Sequence, residues 1–272
     1  MIPYSRQCID KQDINEIVNV LKGKFVTSGP KITEFENKIK NFTQSNHAIA
    51  VNSATSALHI ACIALGLKKN DYLWTSPISF VASSNCALYC GAKVDFVDID
   101  LKSYNISVSE LEKKLSIAKK EKKLPKILVV VNFAGQPCQL DKIKSLSKKY
   151  KFKILEDSSH ALGAYYKKQI LGNCYYSDIS VFSFHPVKII TTLEGGMVVT
   201  NNTKIAKKLI MLRNHGIVRD KNSLIKKKIT NWYYEQHMLG YNYRMNDVQA
   251  ALGISQLKKI DFFYKKRLFV KN

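Results

Sequence analysis

The sequence lacks the features that would identify a membrane, metal-binding or dinucleotide-binding protein. Its longest apolar runs, such as Ile127–Val131, have the length of a strand, whereas a membrane helix needs about 20 apolar residues. The six cysteines form no Cys-x-x-Cys pair, and Cys86 and Cys90 have no nearby histidines to complete a zinc site. A Gly-x-Gly-x-x-Gly fingerprint and a Gly-Lys phosphate loop are also absent. We therefore expect no membrane span, no metal centre and no Rossmann-type site.

Acidic residues are also scarce relative to basic ones. The chain has 43 Lys and Arg against 21 Asp and Glu, which gives a formal net charge of +22. Such an excess suggests an acidic partner. The lysines, however, are scattered over many short runs beside abundant Asn and Ile, as an AT-biased genome would produce. Because no ladder of basic and aromatic residues accompanies them, we expect no nucleic-acid binding.

The cysteines and the N-terminus favour one cellular setting. No apolar signal region follows Met1, and the cysteines are distributed as in proteins of a reducing compartment. Cys86 and Cys90, four residues apart on a predicted helix, are expected to be small packing residues. We therefore expect a cytoplasmic protein without membrane attachment.

The chain does contain a regular alternation of short apolar runs and amphipathic segments. Its 272 residues, 46% of them hydrophobic, suffice for one large α/β domain or two small ones. Strands are predicted at residues 47–51, 72–75, 93–97, 127–131, 153–156, 179–184 and 197–200. Helices are predicted at residues 10–21, 33–42, 53–65, 79–89, 109–118, 141–150, 204–212 and 246–256, and residues 219–228 are expected to form an exposed loop. This order is typical of a mainly parallel sheet covered by helices on both faces.

One lysine lies in an apolar and hydroxyl-rich segment, SFHPVKIITTLEGG, at residues 183–196. Predicted strands flank this segment, so Lys188 is expected in a buried setting that disfavours its charged form. Such an amine can attack a carbonyl and form a Schiff base with an aldehyde such as pyridoxal phosphate. The alternative is a lysine whose stem is buried and whose ammonium reaches water. The segment alone favours neither interpretation.

Three other polar segments occur at the ends of predicted elements. Residues 52–59, NSATSALH, begin a helix, where small hydroxyl residues and the helix dipole suit a phosphate, although plain N-capping explains them as well. Residues 155–163, LEDSSHALG, put carboxylates at a strand end, where one could pair with a ring nitrogen or cap a helix. Residues 240–246, GYNYRMN, offer an arginine to a carboxylate or phosphate, or form a loop and cap.

Taken together in this order, these segments resemble the DegT/StrS family of pyridoxal-phosphate-dependent nucleotide-sugar aminotransferases. The resemblance runs from Tyr4 to about Lys266. Residues 52–58, 75–82, 159–163 and 183–188 with 191–192 are most similar to members that aminate C4 of a UDP-linked 4-keto-6-deoxy-N-acetylhexosamine in pseudaminic acid biosynthesis. The resemblance implies pyridoxal 5′-phosphate as the cofactor, an amino-acid donor expected to be L-glutamate, a nucleotide-sugar substrate and a homodimer with shared active sites.

The resemblance also implies a catalytic role for several residues. Lys188 corresponds to the lysine that forms the Schiff base and moves a proton between the reacting carbons. Asp157 is expected to pair with the pyridine nitrogen and keep it protonated, and His160 to lie close to the cofactor ring. Asn242 is expected to reach the phosphate of the neighbouring subunit's cofactor, and Arg244 to lie near its substrate.

Four further residues are expected, by the same resemblance, to hold the cofactor. Thr55, Ser56 and Ser183 would bind its phosphate through their hydroxyl groups. Phe80 would stack on its ring. No residue is expected to bind a metal.

The resemblance finally predicts how the chain is divided. Residues 1–245 would form the large cofactor-binding domain of a type I, aspartate aminotransferase-like fold. Residues 246–272 would begin the helix that leads to a small C-terminal domain, which is largely absent because family members extend further. Ile189 stands where close relatives usually have proline. Two alternatives remain: amination of another keto sugar, of the perosamine or bacillosamine type, and a truncated non-catalytic protein.

Overall fold

The computed structural model describes residues 5–220, 222–226, 230 and 232–271. Within these ranges the chain forms nine α-helices: α1 (Lys11–Leu21), α2 (Pro30–Thr43), α3 (Ala54–Ala64), α4 (Ala82–Leu88), α5 (Val108–Lys120), α6 (Leu140–Tyr150), α7 (Thr203–Arg213), α8 (Asp247–Leu257) and α9 (Ile260–Lys271). The same ranges contain eleven strands: β1 (His47–Val51), β2 (Tyr72–Thr75), β3 (Lys93–Phe96), β4 (Ile127–Val131), β5 (Lys153–Asp157), β6 (Tyr165–Tyr166), β7 (Gln169–Ile170), β8 (Ile179–Ser183), β9 (Gly196–Thr200), β10 (Ile217–Val218) and β11 (Glu235–Gln236).

Seven of these strands form the central sheet, in the order β1-β9-β8-β5-β4-β2-β3. The pairs β2–β3, β2–β4, β4–β5 and β5–β8 are parallel, whereas β9 runs antiparallel to both β1 and β8. The predicted α/β architecture with a mainly parallel sheet is therefore confirmed. The reversal at β9 brings the start of that strand beside the end of β8, so the connection between them lies at one edge of the sheet.

Helices cover the sheet on both faces, which explains the continuous apolar runs in its inner strands. On one face α3, α4 and α7 pack over a core that includes Leu58, Leu155 and Val181. On the other face α5 and α6 enclose a second core, and α2 and α8 enclose a third around Phe35 and Phe182. Because helices cover both faces, polar functional groups are expected at the edges of the sheet.

Most differences from the predicted elements lie at helix ends and have a local cause. Ser53 and Asn246 are N-caps, since their side-chain oxygens accept hydrogen bonds from Ser56 N and Gln249 N, and each helix begins one residue later. The predicted 79–89 helix is shorter because Ser79 lies in the preceding turn, where its Oγ is 2.7 Å from Ser83 Oγ.

A residue distant in sequence caps the start of α2. Gly29, the N-cap of α2, has no side chain, and the carboxylate of Asp247 accepts hydrogen bonds from Gly29 N at 2.6 Å and Lys31 N at 2.9 Å instead. These bonds join the starts of α2 and α8.

Two other predictions concern surface and membrane segments. In the predicted exposed loop at 219–228, the described residues form no helix or strand, and Lys221, Lys227 and Lys228 lie outside the described residues. None of the helices in the described ranges is long and apolar enough to cross a membrane.

Candidate active site

A cavity of about 620 Å³ opens where the parallel strands β2, β4, β5 and β8 end. This edge is where open α/β sheets bind ligands. The cavity lies within the volume range of small-molecule sites. Six of the nine predicted site residues line it: Thr55, Phe80, Asp157, His160, Ser183 and Lys188.

Lys188 lies in the connection between β8 and β9, as the sequence predicts. The two ends of this connection are joined by hydrogen bonds from Phe184 N to Gly195 O and from Thr192 N to Phe184 O, both 2.9 Å long. Lys188 N also donates to His185 O at 2.9 Å, which closes a turn at the lysine itself. The reversed direction of β9 and these bonds together fix the lysine at the rim of the sheet.

The amine of Lys188 contacts the imidazole of His160, with 2.6 Å between Nζ and Nε2. Burial lowers the pKa of Lys188, and the nearby Asp157 carboxylate opposes that effect. Burial and then the positive charge of Lys188 lower the pKa of His160. Since burial weakens proton binding at both groups, the contact brings together an amine and an imidazole between which a proton can pass.

Asp157, the last residue of β5, presents a carboxylate that is held from two sides. Ser83 Oγ, from α4, donates to Oδ2 at 2.7 Å. Ser159 donates to Oδ1 through its Oγ at 2.6 Å and its backbone N at 3.1 Å. Three hydrogen bonds from two directions fix the carboxylate as an acceptor for a positively charged group in the cavity.

The start of α3 forms another wall of the cavity. Ser53, Ala54 and Thr55 line it, and the first turn of any helix presents backbone N–H groups without intrahelical partners. Ser183, at the end of β8, lies on the same cavity. Ser56 does not belong to the lining residues: its Oγ donates to Asn52 Oδ1 at 2.7 Å and its N donates to the N-cap Ser53.

Asn242 and Arg244 are also outside the set of residues that line the cavity. Arg244 Nη1 donates to Asn214 Oδ1 at 2.7 Å, and Tyr243 O accepts from Asn52 N at 2.9 Å. Tyr241 and Tyr243 stack on each other with ring centroids 5.0 Å apart. These contacts fasten the segment to the side of α3, so within one chain it does not meet Lys188.

Comparison with known proteins decides which family this arrangement represents. A profile of the DegT/DnrJ/EryC1/StrS aminotransferase family matches residues 7–271. The chain belongs to this family. A family relative from Campylobacter jejuni, a UDP-4-amino-4,6-dideoxy-N-acetyl-β-L-altrosamine transaminase, is 44% identical over 272 residues, which is 100% of this chain and 68% of the relative. An uncharacterized protein, MJ1066 of Methanocaldococcus jannaschii, is 41% identical over 98% of this chain and 67% of its own length.

Solved structures of aminotransferases in the family share the fold. PseC of Helicobacter pylori, an aminotransferase of pseudoaminic acid biosynthesis, has a TM-score of 0.84 and 36% identity over 96% of this chain and 66% of its own. A putative sugar aminotransferase, Spr1654 of Streptococcus pneumoniae in its PMP form, has a TM-score of 0.89 and 29% identity over 99% and 70%. The predicted fold class is confirmed, and the chain spans about two thirds of these relatives.

The sequence prediction missed several residues that hold Asp157 in place or line the cavity. Ser83 and Ser159 hold Asp157, and Asn132 and Phe133, just after β4, line the cavity. A usable signal was present for Asn132, because it follows a buried strand at the same edge as Asp157. Ser83 had no such signal, since which hydroxyl of α4 faces a carboxylate 74 positions away depends on tertiary packing.

Proposed function

We propose that this chain carries the site of a pyridoxal-phosphate-dependent aminotransferase that acts on a nucleotide-linked keto sugar. The observation that carries the proposal is the contact of Lys188 Nζ with His160 Nε2, in one cavity with the Asp157 carboxylate. Membership of an aminotransferase family supports it, as do the solved relatives named for PLP and PMP forms.

The donor set of the cavity fits pyridoxal phosphate group by group. Lys188 would hold the aldehyde carbon, and Asp157 would pair with the ring nitrogen. The start of α3 at Thr55, together with Ser183, would hold the phosphate, because helix N-termini bind anions. Phe80, 73% exposed at the cavity, offers a flat apolar face for the ring. Ser56 would contribute by capping α3 rather than by contacting the phosphate with its side chain.

Pyridoxal phosphate, when bound, supplies an electron sink that makes a hydrogen on the carbon next to nitrogen removable. Lys188 Nζ, whose pKa is lowered by burial, would accept that proton and return it to the neighbouring carbon. His160 Nε2, 2.6 Å away, can take the proton from the amine and hold it during the transfer. Asp157, fixed by Ser83 and Ser159, would hold the ring nitrogen and so orient the ring toward the lysine.

The cofactor assignment can be tested with the purified chain and pyridoxal 5′-phosphate. We expect a visible absorption band that borohydride abolishes, and a phosphopyridoxyl group on the peptide that contains Lys188. Lys188→Ala should lose both, while Lys113→Ala, a change at an exposed surface lysine, should keep both. The same reduced adduct in Lys188→Ala would contradict the assignment.

For the sugar, we propose a UDP-linked 4-keto-6-deoxy-N-acetylhexosamine aminated at C4, with L-glutamate as donor. The similarity to the Campylobacter transaminase and to PseC favours this substrate over perosamine-type or bacillosamine-type keto sugars. A panel of UDP- and GDP-linked 4-keto sugars with glutamate, read by mass spectrometry, distinguishes them. Amination of a GDP-linked sugar alone would contradict the proposal. If pyridoxal phosphate binds but no sugar in the panel is aminated, the alternative of a non-catalytic protein is favoured.

We also propose a homodimer in which Asn242 and Arg244 serve the partner's cavity. Both residues stay off the cavity of their own chain, and the contacts of Arg244 with Asn214 and of Tyr243 with Asn52 fasten their segment. Co-expression of Lys188→Ala and Asn242→Ala chains tests this shared site. Each mixed dimer contains one cavity in which both Lys188 and Asn242 are intact. Pyridoxal phosphate affinity should return in the mixture and be weak in each variant alone. No recovery in a mixture shown to exchange subunits would refute the shared site.

We also propose where the chain divides into domains. Residues 1–245 are proposed to be the large domain, with α8 and α9 forming the segment that leads onward from it. Limited proteolysis that releases an intact fragment ending near 245, while the cavity still binds pyridoxal phosphate, would support this boundary, whereas cleavage only beyond α8, which packs against α2, would contradict it.

A further inference from the structure

Glu156, the residue before Asp157, is a carboxyl buried in the middle of the sheet. It lies on β5, between Val130 of β4 and Ser180 of β8, and only 3% of its surface is exposed. Since side chains alternate along a strand, Glu156 points to the opposite face of the sheet from Asp157. It therefore does not belong to the cavity, and the proposed chemistry leaves it without a role.

Buried hydroxyl groups donate hydrogen bonds to this carboxyl. Ser158 Oγ donates to Glu156 Oε1 at 2.7 Å, and Ser180 Oγ donates to the same oxygen at 3.2 Å. The same Ser180 hydroxyl hydrogen is shared with Ser158 Oγ, 3.1 Å from Ser180 Oγ, and Ser158 Oγ also accepts from Asn132 Nδ2 at 3.1 Å. Every one of these groups is buried, and no cation among the described residues forms an ion pair with Glu156.

The titratable groups that face Glu156 are thiols, not bases. Cys138, after β4, and Cys174, before β8, lie near enough to interact electrostatically with it. Burial raises the pKa of Cys138, and it raises that of Cys174 to about 12, so neither supplies a compensating charge. Burial likewise raises the pKa of Glu156, against the opposing effect of Ser158 and Ser180. Hydrogen bonds, rather than an ion pair, therefore hold this carboxyl.

Ser158 connects this set to the catalytic turn. It lies between Asp157 and Ser159, its N donates to Val181 O at 2.9 Å, and its O accepts from Ala161 N at 2.8 Å. The turn it anchors carries His160, whose Nε2 meets Lys188. A side chain that fixes Ser158 thus fixes the directions of Asp157 and His160 on the other side of the strand.

We propose that Glu156 is a positioning residue that, as a hydrogen-bond acceptor for Ser158, sets the geometry of Asp157 and His160. The proposal rests on the proposed function for its consequence, cofactor binding, but the geometry itself can be measured without cofactor. Glu156→Gln keeps the shape and the accepting oxygen, whereas Glu156→Ala and Ser158→Ala break the connection. Ser255→Ala is the matched control, since Ser255 is fully buried on α8 and its Oγ has no partner among the described residues.

The experiment combines two measurements on wild type and these variants. The first is the NMR titration of the His160 ring in the cofactor-free protein, which reports the proximity of Lys188. We expect Glu156→Gln and Ser255→Ala to titrate like wild type, and Glu156→Ala and Ser158→Ala to shift. The second is the dissociation constant for pyridoxal 5′-phosphate, expected to rise about tenfold in Glu156→Ala and Ser158→Ala and to stay within about threefold in Glu156→Gln, as for one lost buried hydrogen bond.

The two measurements separate the proposals. An unchanged His160 titration in Glu156→Ala and Ser158→Ala overturns the positioning role. Equal damage in Glu156→Gln and Glu156→Ala overturns the claim that the accepting oxygen of Glu156 positions Ser158. If wild type itself fails to bind pyridoxal phosphate, the proposed function fails, while the titration still decides the role of Glu156. Should Glu156→Ala not fold, Ser158→Ala alone gives the same decision, because it leaves the carboxyl in place.

Discussion

Replacing Gly196 with alanine should weaken cofactor binding through the backbone alone. Gly196 begins β9, and a Cβ at this position would lie 2.6 Å from the backbone C and O of Ser53 and 2.7 Å from Ala54 N. Ordinary contact begins at 3.4 Å, and the obstructing atoms are backbone, so strand and helix must separate. Overpacking of this kind costs roughly 1–3 kcal/mol of folding free energy.

The separation displaces the first turn of α3, where Thr55 lines the cavity. Losing one hydrogen bond to a charged phosphate is worth about 1.5–3 kcal/mol, which corresponds to roughly a 10–100-fold rise in the dissociation constant of pyridoxal phosphate. Equilibrium titration by absorbance measures this constant, and thermal unfolding measures stability. Gly66→Ala is the control: Gly66 follows the other end of α3, has φ +86°, and has open space around its Cβ position.

Gly66→Ala should lose about 1–2 kcal/mol through its left-handed backbone and keep wild-type affinity. The comparison therefore separates loss of stability from loss of the phosphate site. Wild-type affinity in Gly196→Ala would refute the reasoning, because it would mean that the start of α3 does not set the phosphate position.

Three further outcomes are expected. Ser83→Ala removes the 2.7 Å donor to Asp157 and should weaken pyridoxal phosphate binding roughly 5–10-fold, whereas Ser84→Ala, at an exposed hydroxyl, should not; equal affinities would contradict the support role. Phe35→Ala should cost about 3–5 kcal/mol in chemical denaturation, since Phe35 is fully buried; a cost below about 1 kcal/mol would count against this packing. Burial lowers the pKa of Lys188 below 10.5, so just below pH 10.5 the unfolded chain binds more protons than the folded chain. The free energy of unfolding of the wild type should therefore rise with pH in that window. Lys188→Met should flatten this rise, and an unchanged slope would argue against a buried amine.

The sequence was most informative where a pattern is local. The strands at 47–51, 72–75 and 127–131 occur as predicted, because each is a short apolar run between turn residues. The two-residue strands of the β6–β7 and β10–β11 ribbons were not predicted, since two residues are too few to show an alternating pattern. Helix starts were displaced by a residue where a capping side chain, such as Ser53, belongs to the preceding turn.

The site residues likewise divide into those that a local pattern predicts and those that tertiary packing brings in. Lys188 stands out in the sequence because it interrupts an apolar segment, and its connection between β8 and β9 follows from the flanking strands. Its partner His160 and the support from Ser83 come from other parts of the chain and were not predicted as contacts. For Ser56 the sequence identified the segment, and the structure adds that the Ser56 hydroxyl donates to Asn52.

Two neighbouring carboxylates show how strand geometry assigns roles that residue types cannot. From the sequence, either Glu156 or Asp157 could have faced a ring nitrogen, since both end the same strand. The pleat sends them to opposite faces, and the surroundings then differ: Asp157 opens to the cavity with donors from α4 and its own turn, whereas Glu156 accepts from buried hydroxyls in the core. The first setting presents an acceptor to a ligand, and the second uses an acceptor to hold the protein's own turn. A register shift of one residue in β5 would exchange the two, so the β4–β5 and β5–β8 pairings are as much part of this site as the side chains that line it.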